Sequence, residues 1–378
     1  MKVLVASCLG LAVLCAQGPP TGPASGMANF ATGPDGEVYL SWIDPVGKDS
    51  HALRYAKWLG GSWTEAETIT QGSRWFVNWA DFPALAVGAN GDLKAHWLTR
   101  HPNATSYGYG IRIAARPKGR KAWAEIHGIS LDEAKEYAGF LAFAPAAKGA
   151  IYLAPPQEKG EGHRKTVRYV SFGSEGKVVE DLELDGDACS CCQTSVAQTR
   201  RGLIAAYRDH LPGEIRDIAI VRERNGKWSK PETLHADGWK INGCPTDGPS
   251  ISSEKDHVAI TWLTRANESA QVRLKLSGNG GDSFGEMLRI DEGNPLGRPT
   301  LASLGDQGVV AVWLEKQGAE RVEIRIRRLD WNGTLHASQK VADAPLGRVV
   351  GFPRVAVSGR QILVAWRDGG IRTAVIPR

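Results

Sequence analysis

The sequence predicts an all-β protein, a single β-propeller built from four-stranded antiparallel blades. Three observations lead to this prediction. A β-branched run that ends in a bulky residue recurs seven times, the step between copies is nearly constant, and each copy is followed by further short strand patterns. Four-stranded units of about 50–60 residues that repeat along a whole chain are typical of a propeller.

The repeating segment is the expected second strand of each blade. Its copies are GEVYLSWID, GDLKAHWLTR, GAIYLAPP, GLIAAYRD, DHVAITWLTR, GVVAVWLE and QILVAWRD. Their reference positions are Trp42, Trp97, Pro155, Tyr207, Trp262, Trp313 and Trp366, which are 55, 58, 52, 55, 51 and 53 residues apart. Seven copies predict seven blades, and a six-bladed ring with one irregular unit is the alternative.

Units two and five show the other strands most clearly. Unit two has FPALAV, LKAHWLT, YGIRIAAR and AWAEIHGI, and unit five has PSIS, HVAITWLT, QVRLKLS and MLRID. Turn residues separate these runs, as between antiparallel strands. The last unit stops after its third strand, IRTAVI, so residues before Ala28 are the candidates for a fourth strand that closes the ring. Only SLDEAKEYA (130–138) suggests a helical turn.

The beginning of the chain predicts export. One lysine precedes an apolar run of about a dozen residues, which small residues and prolines follow. We expect a signal peptide over residues 1–17, cleaved near Ala16, since a membrane-spanning helix needs about 20 apolar residues. Residues 18–27 are then a short linker and 28–378 the propeller domain. VASC at 5–8 resembles a lipobox but lies too early, so a secreted or periplasmic protein without an integral membrane segment is favoured over a lipoprotein.

The charge of the chain argues against a nucleic-acid partner. The sequence has 46 Lys and Arg residues against 41 Asp and Glu residues, a formal charge of +5, and the basic residues are scattered among acidic ones. A nucleic-acid-binding domain would concentrate basic residues on one face. We therefore expect a monomer that does not bind nucleic acid.

Charged and aromatic residues follow the second strands and occupy the blade links, which share one face of a propeller around the channel. They are Asp44, Trp75, Trp79, Asp81, Arg100, His101, Glu136, Tyr137, Arg208, Asp209, His210, Glu214, Arg216, Asp217, Trp239, Asp247, Arg265, Arg298, Glu315, Arg367 and Asp368. Arginine offers paired donors to a carboxylate, and aromatic faces stack on sugar rings. We expect a pocket for an anionic or polyhydroxylated ligand, although ordinary solvent-exposed strand ends are the alternative.

The segment LKLSGNGGDSFGE (274–286) resembles the Asp-box of the sialidase (BNR-repeat) superfamily, Ser-x-Asp-x-Gly-x-Thr-Trp/Phe. Asn279 stands where the aspartate is usual, and the matching residues are Ser277, Gly281, Ser283 and Phe284. RERNGKWSKPETL (222–234) and KWLGGSWTEAETI (57–69) are weaker copies. The segments around the cysteines also resemble those of secreted bacterial sialidase-like proteins. The resemblance implies a propeller, and the polar groups of the box are expected to satisfy turn backbone.

For the activity, the resemblance implies an exo-sialidase-like glycoside hydrolase acting on an anionic glycan. Such enzymes hold the substrate carboxylate with three arginines, here Arg208, Arg216 and Arg265. Asp81 would be the general acid, and Glu136 with Tyr137 the nucleophile pair. The predicted substrate-binding set is completed by Asp209, Asp217, Asp247 and Arg367. Arg216 could instead pair with Asp209 or Asp217 as a structural bridge.

A non-catalytic propeller that binds a glycan, a peptide or a partner protein is the alternative function. The two functions differ in one geometric feature. A glycosidase needs a pair of carboxylates about 5–9.5 Å apart at the pocket. A binding surface needs aromatic residues and arginines without such a pair.

Four cysteines follow the leader: Cys189, Cys191 and Cys192 in DACSCCQTS, and Cys244 in GCPTDGP. Both segments lead into first strands of adjacent units, so we expect one cluster coupled to the pocket. Two interpretations stay open. The cysteines could form disulfides, Cys192–Cys244 and Cys189–Cys191, as is usual after export. They could instead bind Cu or Zn, because three cysteines in four residues are hard to pair without strain and thiolates select soft metals.

Overall fold

The computed structural model describes residues 18–104, 107–130, 136–156, 164–173 and 176–378. Within these residues, 28 strands form seven antiparallel sheets, which confirms the all-β propeller and its seven blades. The described helices are two 3-10 turns, Ala266–Glu268 and Gly305–Gln307. None of them is long and apolar enough to cross a membrane. The predicted signal peptide lies outside the described residues, as does most of SLDEAKEYA.

The first four blades follow one another in chain order. Blade 1 is β1 (Gly26–Thr32), β2 (Val38–Pro45), β3 (Ser50–Lys57) and β4 (Glu67–Ser73). Blade 2 is β5 (Ala84–Val87), β6 (Leu93–Arg100), β7 (Tyr109–Arg116) and β8 (Ala124–Ile129). Blade 3 is β9 (Gly139–Phe143), β10 (Gly149–Ala154), β11 (Lys165–Phe172) and β12 (Val178–Ala188). Blade 4 is β13 (Ser195–Thr199), β14 (Gly202–Arg208), β15 (Ile218–Arg224), β16 (Lys227–Trp228) and β17 (Glu232–His235).

The last three blades complete the ring. Blade 5 is β18 (Ser250–Glu254), β19 (His257–Thr264), β20 (Gln271–Ser277) and β21 (Leu288–Arg289). Blade 6 is β22 (Pro295–Ser303), β23 (Val309–Gln317), β24 (Arg321–Leu329) and β25 (Gln339–Pro345). Blade 7 is β26 (Arg354–Ser358), β27 (Gln361–Arg367) and β28 (Ile371–Pro377).

Closure of the ring differs from the expectation. Residues 18–25 form no strand, and blade 7 has three strands among the described residues, so the fourth strand expected from before Ala28 is not found in this part of the chain. The segment instead passes the turn after β27, where Gly22 and Gly370 lie close together. Blade 1 meets blade 7 through β1, which packs against β26 and β27. Gln361 joins the two blades, because its amide donates to the Gly60 carbonyl at 2.8 Å and accepts from Trp58 Nε1 at 2.9 Å.

The hydrophobic core lies between neighbouring blades. The second-strand aromatic residues that mark the repeat are buried, and Trp42, Trp262 and Trp313 are fully inaccessible to solvent. Trp262 of blade 5 shares a cluster with residues of blade 4, and Trp313 of blade 6 shares one with residues of blade 5. These rings therefore pack between neighbouring blades.

Hydroxyl groups on the first strands link one blade to the next. The Ile251 amide donates to Ser195 Oγ at 3.1 Å, and the Leu301 amide donates to Ser250 Oγ at 3.0 Å. Thr300 Oγ1 donates to the Pro353 carbonyl at 3.0 Å. These bonds join blades 4, 5, 6 and 7 in sequence around the channel. They also satisfy backbone groups on strands that have a sheet partner on one side only.

The turn after β20 is held by its own polar side chains. Ser277 Oγ accepts from the Gly281 amide at 2.9 Å, and Asn279 Oδ1 accepts from the Ser283 amide at 3.0 Å. Phe284 packs against the core between blades 4 and 5. The structural role expected of these residues is confirmed, and Asn279 supplies the oxygen acceptor that an aspartate would supply.

Replacing Gln361 with alanine tests how the ring is closed. The change removes both hydrogen bonds that Gln361 makes to blade 1, so the free energy of unfolding should fall by about 1–2 kcal/mol. Urea denaturation followed by tryptophan fluorescence measures this difference. Gln317→Ala, at the exposed end of β23, is the matched control and should change stability by less than about 0.5 kcal/mol. Equal effects of the two changes would show that Gln361 does not hold the ring closed.

Candidate functional site

A cavity of about 550 Å³ occupies the centre of the ring. All seven first-strand regions contribute to its wall, with Asn29, Leu85, Leu141, Val196, Ser250, Thr300 and Arg354 among the lining residues. It extends from Asp81 and Gln193, which precede first strands, to Pro34 and Ala146, which follow them. The cavity is therefore the central channel of the propeller.

The cysteine-bearing link between β12 and β13 is anchored at both ends. At its beginning, the Cys189 amide donates to the Arg208 carbonyl at 3.0 Å. At its end, Gln193 donates to the Ala80 carbonyl at 2.5 Å and accepts from the Gly248 amide at 2.9 Å. A Cβ on Gly248 would lie 2.1 Å from the Gln193 carbonyl oxygen, so this close approach requires glycine. The link is thus fixed between the segments that enter blades 2 and 5.

Three thiols of this link lie together. Cys189 Sγ is 3.7 Å from Cys191 Sγ and 3.7 Å from Cys192 Sγ, and all three sulfur atoms lie within 4.8 Å of one another. All four cysteines are free, since a disulfide would bring the sulfurs to about 2.05 Å. The expected Cys192–Cys244 and Cys189–Cys191 bridges are absent. The exposed Cys244 thiol interacts with Cys191 rather than with Cys192, which is buried beneath the link.

The four thiols differ in the direction of their pKa shifts. Hydrogen bonding with Cys191 and Cys192 holds the pKa of Cys189 well below its ordinary value, and the Arg208 charge acts in the same direction. Burial raises the pKa of Cys192, and the hydrogen bond that Cys191 donates to Cys189 raises the pKa of Cys191. The interaction with Cys191 lowers the pKa of Cys244 to about 7. Among the three thiols of the link, Cys189 is therefore the most acidic.

Aromatic rings and cations stack beside the cysteine link. The Tyr137 ring stacks on Tyr109 with centroids 4.9 Å apart, and Lys165 Nζ lies 3.9 Å from the Tyr137 centroid on the ring face. The Tyr137 hydroxyl donates to the Ser190 carbonyl, whereas the Glu136 carboxylate binds Lys165 Nζ at 2.7 Å. Glu136 and Tyr137, predicted as a nucleophile pair, thus direct their polar groups to different partners.

Asp81 lies at the beginning of the channel and is 2% exposed. It accepts hydrogen bonds from Tyr109 Oη at 2.9 Å and from the Phe140 amide at 2.8 Å. Burial nevertheless raises the pKa of its carboxyl group to about 7. Asp81 is the one acidic residue among the lining residues of the cavity, so the paired carboxylates of a glycosidase are not found there.

Arg208 does not point into a pocket. It is 1% exposed, and its guanidinium donates to the carbonyls of Asp247, Arg216 and Leu263 at 2.5–3.0 Å. Of the predicted catalytic and substrate-binding residues, Asp81 lines the channel cavity, whereas Arg208, Arg216, Arg265 and Asp247 do not share that cavity. The physical reason is that backbone carbonyls at the blade ends attract the guanidinium inward.

The other predicted binding residues also have structural partners. Asp217 accepts from the amides of Gly238 and Trp239 at 2.9 and 3.0 Å. Arg216 pairs with Glu214 at 2.5 Å, rather than with Asp209 or Asp217, the partners considered as the alternative to a binding role. Asp209 accepts from the His210 amide at 2.7 Å, and burial raises its pKa to about 7.

Asp247, Arg265 and Arg367 complete this set. Asp247 accepts from the Arg298 amide at 2.7 Å, and burial raises its pKa to about 6. Arg265 donates to the Leu296 carbonyl at 3.3 Å. Arg367 lies against Gly26, at the junction of blades 1 and 7. These residues stabilise blade junctions and are distributed around the ring.

Sequence reasoning missed Gln193, Lys165 and Arg354. Gln193 anchors the cysteine link, Lys165 covers Tyr137, and Arg354 lines the channel. For Arg354 a signal was present in the sequence. FPRVAV (352–357) repeats FPALAV (82–87), and the arginine replaces an alanine at the first position of an innermost strand.

Comparison with known proteins supports the fold. No protein-family model matches the chain, and no curated protein matches it in sequence. A PL25 ulvan lyase bound to -[GlcA(1-4)Rha3S]- is similar in structure, with 12% identity, a TM-score of 0.58 and 96% of each chain covered. The α-L-arabinofuranosidase Arb93A of Fusarium graminearum has 11% identity and a TM-score of 0.53, with 97% of this chain and 98% of that one covered.

Sialidases are also among the similar structures. The Hadza microbial sialidase Hz136 has 12% identity and a TM-score of 0.45, and 77% of this chain is covered. This chain spans 63% of that sialidase. At these identities the comparisons establish a shared propeller fold and leave the chemistry of the site to its own residues.

Asp81→Asn tests the burial of this carboxyl group. Because the folded-state pKa of about 7 exceeds the ordinary 3.8, the folded protein keeps a proton that the unfolded chain loses. The wild type should therefore lose stability relative to Asp81→Asn as the pH rises from about 4 to about 7, by roughly 1.4 kcal/mol per pH unit. Urea denaturation of both proteins across this range measures the difference. If the stabilities of the two proteins changed with pH in parallel, the Asp81 carboxyl group would have the same pKa in the folded and unfolded states.

Proposed function

We propose that this protein is an exported, non-catalytic metal-binding propeller whose cysteine link holds one soft metal ion, Cu(I) or Zn(II). The observation that carries the proposal is the 3.7 Å separation of Cys189 Sγ from two neighbouring sulfurs. Thiolates bound to one tetrahedral zinc at about 2.3 Å lie about 3.75 Å from one another. Two of the three sulfur–sulfur distances therefore already match those of ligands around a shared ion, and the third pair lies within 4.8 Å.

The surroundings of the thiols favour a bound ion. The link is anchored by Arg208 at one end and by Gln193 at the other, so little conformational entropy is lost on binding. Three thiolates with a monovalent or divalent ion carry a net negative charge. The buried Arg208 guanidinium, which favours the thiolate of Cys189, offsets part of this charge.

Cys244 decides between the two metals. Cys189, Cys191 and Cys192 alone supply three soft ligands, which suit Cu(I), whereas a structural zinc requires four. Cys244 interacts with Cys191 and is exposed, so it can supply the fourth sulfur. The three-sulfur site is buried at Cys189 and Cys192 and open towards Cys244.

Metal content of purified variants tests this proposal. Wild type isolated anaerobically should bind one equivalent of Cu(I) against the chelator bicinchoninate, and one equivalent of Zn(II). Cys192→Ser should abolish stoichiometric binding of both ions, because it removes a buried ligand. Cys244→Ser should retain Cu(I) and lose Zn(II). Ser190→Ala, which lies between two ligands and removes no thiol, is the matched control and should bind both ions.

Two results would contradict the proposal. If Cys192→Ser bound Cu(I) as tightly as the wild type, the metal site would not include Cys192 and would lie elsewhere. Wild type that carries neither metal nor free thiols when isolated from its native compartment would show that the cysteines form disulfides. A gel-shift assay with a thiol-reactive maleimide distinguishes the second result.

A second candidate function is cleavage of an anionic glycan at the rim. The observation that favours it is Asp81, whose raised pKa of about 7 suits a general acid. The fold shared with the ulvan lyase and the arabinofuranosidase supports the same candidate. Incubation with sialylated and uronate-containing oligosaccharides should then release product, and Asp81→Asn should abolish it. If the wild type turned over none of these oligosaccharides, metal binding would be the one candidate function that remains.

A further inference from the structure

Most polar side chains in the channel wall already form hydrogen bonds within the protein. Ser195, Ser250 and Thr300 bond to backbone groups of the next blade. Thr194 donates to the Phe140 carbonyl at 2.8 Å, and Gln193 joins Ala80 to Gly248. Because these groups already form hydrogen bonds between blades, binding a ligand through them would compete with the contacts that join the blades.

Arg354 is the exception. It is the one basic residue that lines the cavity, and its Nε and Nη2 atoms are buried without a hydrogen-bond partner among the described residues. Its guanidinium carbon lies 3.9 Å from the Phe82 ring centroid and 5.5 Å from that of Phe352. Burial lowers the pKa of Arg354 to about 9, and no described acidic group offsets this.

The rest of the wall is mixed, with apolar side chains beside these polar groups. Phenylalanine side chains and aliphatic residues cover it on several blades, among them Phe30, Leu85, Val87, Leu141, Phe143 and Val196. Apolar side chains together with one oriented charge, in a cavity of a few hundred Å³, suit an amphipathic molecule.

We propose that the central channel binds a small hydrophobic monocarboxylate, with its carboxylate on Arg354 and its apolar tail among the phenylalanine and aliphatic side chains. The Arg354 guanidinium borders the cavity and is the donor for the carboxylate there. The carboxylate pairs with the Arg354 charge, which has no described acidic partner. The apolar tail covers apolar side chains of the wall that would otherwise contact water. No described cysteine lines this cavity, so the proposed site does not depend on bound metal.

Calorimetric titration with sodium octanoate at pH 7.5 tests the proposal on the full-length protein. Wild type should bind octanoate, should bind the neutral 1-octanol more weakly, and should not bind sodium glucuronate, which has the charge without the apolar tail. Arg354→Met should weaken octanoate binding about tenfold or more and change octanol binding little. Arg354→Lys, which keeps the charge, should bind with intermediate affinity.

The matched control is Arg348→Met, because Arg348 is exposed and lies outside the channel cavity near the same aromatic residues. It should bind octanoate like the wild type. Arg354→Met should also stay folded and become more stable, because it removes an unpaired buried charge and no described hydrogen bond. Thermal unfolding measures this difference. If Arg354→Met cannot be purified, the wild type alone gives a test, because octanoate should raise its unfolding midpoint.

Three results would overturn the proposal. Wild type that binds no octanoate at millimolar concentration would show that the channel is not a site for such acids. Equal octanoate affinity of Arg354→Met and wild type would show that Arg354 does not hold the carboxylate. Glucuronate binding as tight as octanoate binding would show that the apolar wall does not select the ligand.

Discussion

The hydroxyl groups of the innermost strands set the spacing of the blades, and the other features of the molecule depend on this. Ser195, Ser250 and Thr300 each bond to the backbone of the following blade. Each bond satisfies a buried polar group that would otherwise cost about 1–3 kcal/mol. Tryptophan packing between blades supplies hydrophobic stabilisation, but it is not directional. The hydrogen bonds therefore fix how the first strands face the channel.

This arrangement has two consequences for function. It directs hydroxyl groups of the channel wall towards neighbouring blades, and it leaves Arg354 without a described acidic partner. It also gives the cysteine link rigid supports, since Gln193 binds segments that enter blades 2 and 5. Ligands carried on a link fixed in this way keep their spacing in the absence of metal, which favours a selective site.

Much of the fold could be predicted from the sequence, because the second strand of each blade carries a regular pattern and an aromatic residue. The proximity of the two cysteine segments followed from their equivalent places in adjacent repeats. Side-chain directions in the links could not be predicted, because links have no period. Arg208 therefore turned out to bind backbone carbonyls, and Cys244 to face Cys191. The missing strand of blade 7 could not be predicted either, because packing of β1 closes the ring without it.

X-ray absorption at the metal edge of copper-loaded and zinc-loaded protein tests the central claim most directly, because it reports the ligand atoms around the ion. The account predicts a first shell of three sulfur atoms for Cu(I) and four for Zn(II), with zinc–sulfur distances of about 2.3 Å. A shell made only of oxygen and nitrogen atoms would contradict it, because the ion would then lie outside the cluster of Cys189, Cys191 and Cys192.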